Sequence, residues 1–280
     1  MKTRILTAIV SLAVFVGVIA APPVVFTIAI AAVILIMLYE CYIATKADLA
    51  MKIIGFASAV CMMSGIYIFS VSNHEGLPMI LLAASFMLAI MLHMVLTVAE
   101  HGKKSYKEIL ANGFLTMYIV ISSSCIWLTK ENFGISKMLL IFVCAWSTDT
   151  FAYFIGSLFG KHKLIPHVSP KKTVEGAIGG IVGAVLGCFA LLIVSEMING
   201  ISWSSFVGWL PFFIISAVIF GVAGGVCSQL GDLVASAVKR DTGIKDFGWI
   251  FPGHGGFMDR FDSVIFIAPL ILAIMAVCQL

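Results

Sequence analysis

From Ser236 to Asp262 the chain reads SAVKRDTGIKDFGWIFPGHGGFMDRFD, the stretch in which groups able to do chemistry are densest. Only 11% of all residues are charged, yet Lys239, Arg240, Asp241, Lys245, Asp246, Asp259, Arg260 and Asp262 gather here between two strongly apolar runs. Asp259 and Asp262 stand three apart where the second run begins, so a helix there puts both carboxylates on one face. Paired oxygen ligands suit a hard divalent cation such as Mg2+. Between the charges, Pro252, Gly253, Gly255 and Gly256 surround His254 and make a turn whose backbone N–H groups can approach an anion closely. Cations, an oxygen-rich metal site and bare amides together describe a site for handling phosphate.

Polar residues upstream fall into the same pattern. Gln229, Asp232, Ser236 and Lys239 form one helical stripe that carries Asp232 toward the same end of its helix as the charged stretch. Trp146, Asp149, Tyr153 and Gly156 form another, and an ionisable group such as Asp149 in an apolar background is costly enough to mark a site. The segment KHKLIPHVSPKKTVEG crowds Lys161, Lys163, Lys171 and Lys172 around two prolines. A charge run of this kind is often no more than a solvated face. Here Ser169 and Pro170, followed by Lys171, Lys172, Thr173 and Glu175, also read as a rigid turn entering a helix N-terminus, where phosphate is favoured. Gly156 to His162 lacks the spacing of a P-loop and the Ser or Thr after its lysine.

The elements that must hold these groups are membrane helices. Hydrophobic residues make up 61% of the 280, and mean hydropathy is +1.11. Soluble domains hold only about 45 to 50% apolar residues. The sequence therefore predicts an all-α polytopic membrane protein with about nine transmembrane helices, near 5–21, 24–43, 53–72, 78–98, 109–129, 138–159, 175–198, 209–235 and 261–279. With the N-terminus in the cytoplasm and the C-terminus outside, only Lys130 and Lys137 of the 17 Lys and Arg fall on the outer side. That asymmetry is the one expected of retained, correctly counted spans. Lys2, Arg4 and an apolar core ending at Ala20 and Ala21 also resemble a signal peptide, but the immediate second span favours a retained helix.

The first five spans hold few polar groups and read as scaffold, with His93 a packed histidine rather than a ligand. The division expected is 1–135 as N-terminal transmembrane scaffold and 136–280 as the catalytic transmembrane region with a cytoplasm-facing polar site. Gly176, Gly179, Gly180, Gly183 and Gly187 predict close helix packing in the seventh span. The seven cysteines all lie inside predicted spans without a C-x-x-C pair, so neither zinc nor a disulfide framework is indicated.

The charged stretch resembles the signature of the phosphatidate cytidylyltransferase family, also called CDP-diacylglycerol synthase. That pattern is Ser, Lys-Arg, Lys-Asp and then His-Gly-Gly-x-x-Asp-Arg-x-Asp. Ser236, Lys239, Arg240, Lys245, Asp246, Pro252, His254, Gly255, Gly256, Asp259, Arg260 and Asp262 fill it without departure. The likeness extends to the Ser-Pro-Lys-Lys-Thr-x-Glu-Gly element at 169–176, the Gln-x-Gly-Asp-Leu element at 229–233 and the Asp149 stripe. It covers roughly 140–265 strongly and the first 135 residues only in hydropathy.

The resemblance implies that CTP and phosphatidate give CDP-diacylglycerol and pyrophosphate with Mg2+ required, at a cytoplasmic membrane face and in contact with membrane lipids. Asp232, Asp259 and Asp262 are the expected metal ligands. Lys171, Lys172, Lys239, Arg240, Lys245 and Arg260 are expected to neutralise the two substrates' phosphates. Ser169, Thr173, Ser236 and the Gly253 to Gly256 amides are expected on phosphate oxygens, with His254 bonded to a phosphate. Glu175, Asp246 and Asp149 orient the cations or take a second metal. A bacterial plasma membrane and a homodimer through Gly-rich or N-terminal spans are further expectations, and no nucleic acid is expected as a partner.

Two alternatives compete, one from a different class of protein and one closer. A transporter would use Asp149 and Asp232 as an ion path, but it does not require the clustered loop charges and no inverted repeat is evident. Another CTP-using membrane enzyme, a polyprenol kinase or an archaeal-type lipid cytidylyltransferase, is nearer. A CDP-alcohol phosphotransferase lacks support because its Asp-Gly-x-x-Ala-Arg run is absent.

Overall fold

The computed structural model describes residues 2–72, 76–200 and 203–278. Apolar runs that enter lipid must satisfy their backbone polar groups internally, and these runs do so as helices. The helices are α1 (Lys2–Ala20), α2 (Pro23–Ala44), α3 (Leu49–Val71), α4 (Gly76–Ala99), α5 (Tyr106–Phe133), α6 (Ile135–Phe159), α7 (Val174–Ile198), α8 (Trp203–Thr242) and α9 (Met258–Cys278). There is one helix for each predicted span; Gln279, the last residue of the ninth, lies outside the described residues. Among the described residues, eight helices are long and apolar enough to cross a membrane, and the apolar part of α1, Thr7–Ala20, is shorter. The protein is thus an all-α polytopic membrane protein.

Between α6 and α7 the predicted turn is a small antiparallel hairpin, β1 (Lys163–Ile165) and β2 (Ser169–Thr173), in which Lys163 pairs with Thr173 and Ile165 with Ser169. Pro170 is tolerated because both strands of a two-stranded hairpin are edges. The second strand runs directly into α7, where the Thr173 side chain caps the helix by accepting from Gly176 N.

The chain divides into two compact units. One holds the segment up to Leu128 together with Thr242–Arg260; the other holds Thr129–Asp241 together with the segment from Phe261 onward. In the first unit, buried polar side chains tie helices to one another: Tyr42 bonds the Thr116 hydroxyl, Thr45 donates to Asn112 at 2.8 Å, and Trp127 donates to Thr27 at 3.0 Å. His93 is 4% exposed and bonds the Ala89 carbonyl through Nδ1 at 2.8 Å, the packed histidine expected from its apolar span.

In the second unit the glycines of α7 form a seam against α6. A methyl added at Gly179 would fall 2.6 Å from Ile155, and one at Gly180 would fall 3.0 Å from the Thr148 carbonyl. Without side chains in the way the two backbones come close, which is the packing that small-residue spacing favours in membranes. All seven cysteines are free thiols. Because this seam has no room, Gly180→Val is expected to destabilise the fold by about 1 to 3 kcal/mol. The check is thermal unfolding in detergent, with Gly208→Ala, whose added methyl meets nothing within 4 Å, as the neutral control.

Candidate active site

Helix α8 has 40 residues and is about 60 Å long at 1.5 Å per residue, roughly twice the thickness of the hydrocarbon core. Its apolar part therefore gives way to a polar end that bears Gln229, Asp232, Ser236, Lys239 and Arg240. Within the second unit this end meets the hairpin. Lys172 Nζ lies 2.6 Å from Asp232 Oδ2, Ser236 donates to Asp232 Oδ1 at 3.3 Å, and Arg240 Nε donates to the Val168 carbonyl at 3.4 Å. Gln229 Nε2 donates to the Ala177 carbonyl at 2.9 Å, which secures α8 to α7 just below the charges.

Asp262, 8% exposed, comes to the same place from α9. Gly231 makes the approach possible, since a methyl there would fall 2.6 Å from the Asp262 carbonyl and 2.7 Å from Phe266. The Asp262 carboxylate accepts from Ser263 N at 2.7 Å and has Asp232, Lys239 and Asp149 as its charged neighbours. Asp149 itself is exposed on α6. The structure thus gathers Asp149, Lys172, Asp232, Ser236, Lys239 and Asp262, drawn from α6, the hairpin, α8 and α9.

Other predicted residues of this unit shape the hairpin. Glu175 accepts from Lys161 N at 3.1 Å and from His162 N at 3.2 Å, and it bonds the His162 ring at 2.6 Å. Thr173, 7% exposed, has its hydroxyl engaged as the α7 cap. Lys171 is exposed, and Ser169 is half-buried at its pairing with Ile165.

The first unit holds the glycine turn. Gly253 and Gly255 have φ of 78° and 85°, left-handed values that glycine adopts without strain. Two of the turn's amides are engaged within it: His254 N donates to the Phe251 carbonyl at 2.8 Å, and Gly256 N donates to Asp259 Oδ2 at 3.0 Å. Asp259 Oδ2 also accepts from Phe247 N at 2.7 Å. Arg260 grips the His254 carbonyl through Nε at 2.8 Å and Nη2 at 2.6 Å. Lys245 and Asp246 are exposed at the entry to this segment.

A profile of the cytidylyltransferase family matches residues 2–278. The chain belongs to the cytidylyltransferase family. Among its relatives it is 34% identical over 282 residues to the phosphatidate cytidylyltransferase of Staphylococcus saprophyticus, with 97% of each chain covered. It is 35% identical over 275 residues to that of Staphylococcus aureus, again with 97% of each covered. The phosphatidate cytidylyltransferase of Bacillus subtilis is 31% identical over 287 residues, covering 99% of this chain and 98% of the relative.

For a cytidylyltransferase the geometry has a clear chemical meaning. Among the described residues no group of three His, Cys, Asp or Glu side chains could hold a metal ion. Asp232 and Asp262 are neighbours, however, and Mg2+ is commonly held by one or two carboxylates, with substrate phosphates and water completing its shell. The donor set fits an ion of that kind.

Two residues with evident tasks escaped the sequence reading. His162 clasps Glu175, and Glu40 of α2, 3% exposed, bonds the start of α9. A lone acid in a span is itself a signal, since membrane burial of a carboxylate demands a purpose. His162 offered no signal beyond its place in a basic loop. Because Glu175 closes the base of the hairpin, Glu175→Ala is expected to speed trypsin cleavage after Lys161 and Lys163 several-fold while cleavage after Lys103 and Lys104 stays constant. Limited proteolysis in detergent followed by mass spectrometry reads both.

Proposed function

We propose that this protein is a Mg2+-dependent phosphatidate cytidylyltransferase that makes CDP-diacylglycerol and pyrophosphate from phosphatidate and CTP for phospholipid synthesis. The observation that carries the reading is the convergence of Lys172, Asp232, Ser236, Lys239 and Asp262 in one polar cluster at the end of α8. Full-length relatives named phosphatidate cytidylyltransferase support it over the polyprenol kinase, archaeal-type and transporter readings.

The phosphate monoester of phosphatidate is already a nucleophile, so no Ser-His pair is needed. One of its oxygens attacks the α-phosphorus of CTP as the bond to the departing pyrophosphate breaks. The obstacle is repulsion between two polyanions, and positioning with electrostatic stabilisation lowers it. In our reading Asp232 and Asp262 would hold Mg2+, which when bound would supply positive charge to the substrate phosphates.

Lys172 and Asp232 neutralise one another across 2.6 Å. When a phosphate arrives Lys172 turns to it, and Asp232 would be left to hold the cation, so that neither charge stands bare. Lys171, Lys172, Lys239, Arg240, Lys245 and Arg260 bind phosphates, joined by Ser236 and the Gly253 and Gly255 amides. Asp259, through its two amide bonds, orders the glycine turn. Asp149 and Asp246 orient the cations.

The excess of Lys and Arg on one side supports a cytoplasmic N-terminus and site, where CTP enters from water and phosphatidate from the bilayer. The bacterial relatives support a plasma-membrane location. The first 135 residues act as scaffold to the catalytic remainder.

Purified protein in detergent with CTP, phosphatidate and Mg2+ is expected to release pyrophosphate, and omission of phosphatidate or chelation of the metal to abolish release. Asp262→Asn is expected to lower turnover by about 100-fold or more, on the scale of losing an electrostatic stabiliser. Gly231→Ala, which pushes Asp262 away from α8, is expected to lower it by about tenfold or more. Folded wild-type protein that releases no pyrophosphate would sink the reading. Wild-type turnover by Asp262→Asn at limiting Mg2+ would sink its metal assignment.

A further inference from the structure

Glu40 sits on α2 in a run that is otherwise almost wholly apolar, and it is 3% exposed. Its carboxylate ignores its own helix and reaches across 217 and 218 positions of sequence. Oε1 accepts from Phe257 N at 3.0 Å, and Oε2 accepts from Met258 N at 2.8 Å. Those are amides at the N-terminus of α9, which lack a partner within the helix and carry the positive end of its dipole. Glu40 is therefore an N-cap supplied by a distant part of the chain.

The segment it holds has adapted to it. Gly248 and Gly256 both lie against the Glu40 carboxylate, so close that a methyl on either would overlap its atoms. Neither has the positive φ that makes Gly253 and Gly255 conformationally necessary, so close approach to Glu40 accounts for both. The same segment wraps a second carboxylate, since Asp259 takes the amides of Phe247 and Gly256. Four amides of 247–258 thus end on two carboxylates, one from its own helix and one from α2.

We infer that Glu40 is a positioning residue for the phosphate-handling segment Lys245–Arg260, fixing through the α9 N-terminus and the two glycine contacts where His254, the glycine turn and Arg260 stand. It touches no substrate; it acts through the backbone that presents those groups. Its expected influence on turnover rests on the cytidylyltransferase reading above, while its hold on the segment does not.

The test measures hydrogen exchange by mass spectrometry on the full-length chain in detergent, without substrates, beside turnover of CTP with phosphatidate and Mg2+. Glu40→Gln keeps the shape of the side chain but turns an N–H group toward one of the two amides. Gly248→Ala leaves Glu40 intact and drives a methyl into its carboxylate, so the inference remains testable if Glu40→Gln folds poorly. Gly208→Ala is the control.

Both variants are expected to exchange the 247–258 amides roughly tenfold or more faster than wild type, the loss anticipated for hydrogen bonds to a charged group. Peptides of α7 should exchange at the wild-type rate. In both variants kcat per folded molecule should fall by roughly tenfold while KM for phosphatidate holds; simple loss of folded protein would leave kcat per folded molecule at the wild-type value. Wild-type exchange in folded Glu40→Gln would overturn the inference outright. Fast exchange with undiminished kcat would overturn the positioning role. Wild-type protein without turnover would instead sink the activity reading, and the exchange measurement would still decide whether Glu40 holds the segment.

Discussion

A carboxylate withdrawn from water has to recover the hydrogen bonds it gave up, and in this protein backbone amides provide many of them. Glu40 takes two at the start of α9, Asp259 takes two from the turn before it, Glu175 takes two at the base of the hairpin, and Asp48 takes one at the start of α3. Each bond satisfies two partners that would be costly alone. Each also ends on irregular chain or on a helix N-terminus, where no ladder of the chain's own could hold the backbone. The loops that carry the polar chemistry are therefore as fixed as their acids.

Around that constraint the helices divide their labour by side-chain size. Along the α6 and α7 seam, absent side chains let backbones approach, and the same device at Gly231 brings the Asp262 carbonyl against α8. Close approach of that kind sets the backbones of neighbouring helices in contact. Charge can then be assembled at the end of α8 by rigid helices rather than by long flexible side chains. Asp232 on α8 and Asp262 on α9, two short side chains, are an example.

Much of this could be read from sequence. Run length and hydropathy locate nine helices because lipid leaves an apolar chain no other economical conformation, and the three- and four-residue spacing of Asp232 and Ser236 places them on one face. The glycine spacing of α7 likewise announced its seam. The hairpin was harder, since three- and five-residue strands rich in lysine and broken by Pro170 carry no alternating apolar signal. Thr173 is expected on a phosphate; in the fold its oxygen also accepts from Gly176 N as the α7 cap, a use that depends on where the strand ends. Glu40 shows in the sequence only as a lone acid in an apolar span; its partners are main-chain amides more than two hundred residues away, and main chain leaves no trace in residue type.

Glu40 also constrains how the sequence can change over descent. Gly248 and Gly256 are small because a carboxylate occupies the space their side chains would need. A methyl at either glycine presses on the Glu40 carboxylate unless position 40 becomes shorter, and a shorter residue at 40 takes away the carboxylate to which the Phe257 and Met258 amides donate. Every single-step route away from this trio thus passes through an unfavourable intermediate. Positions 40, 248 and 256 form one heritable unit, although the first lies in the half of the chain that looks most free to drift.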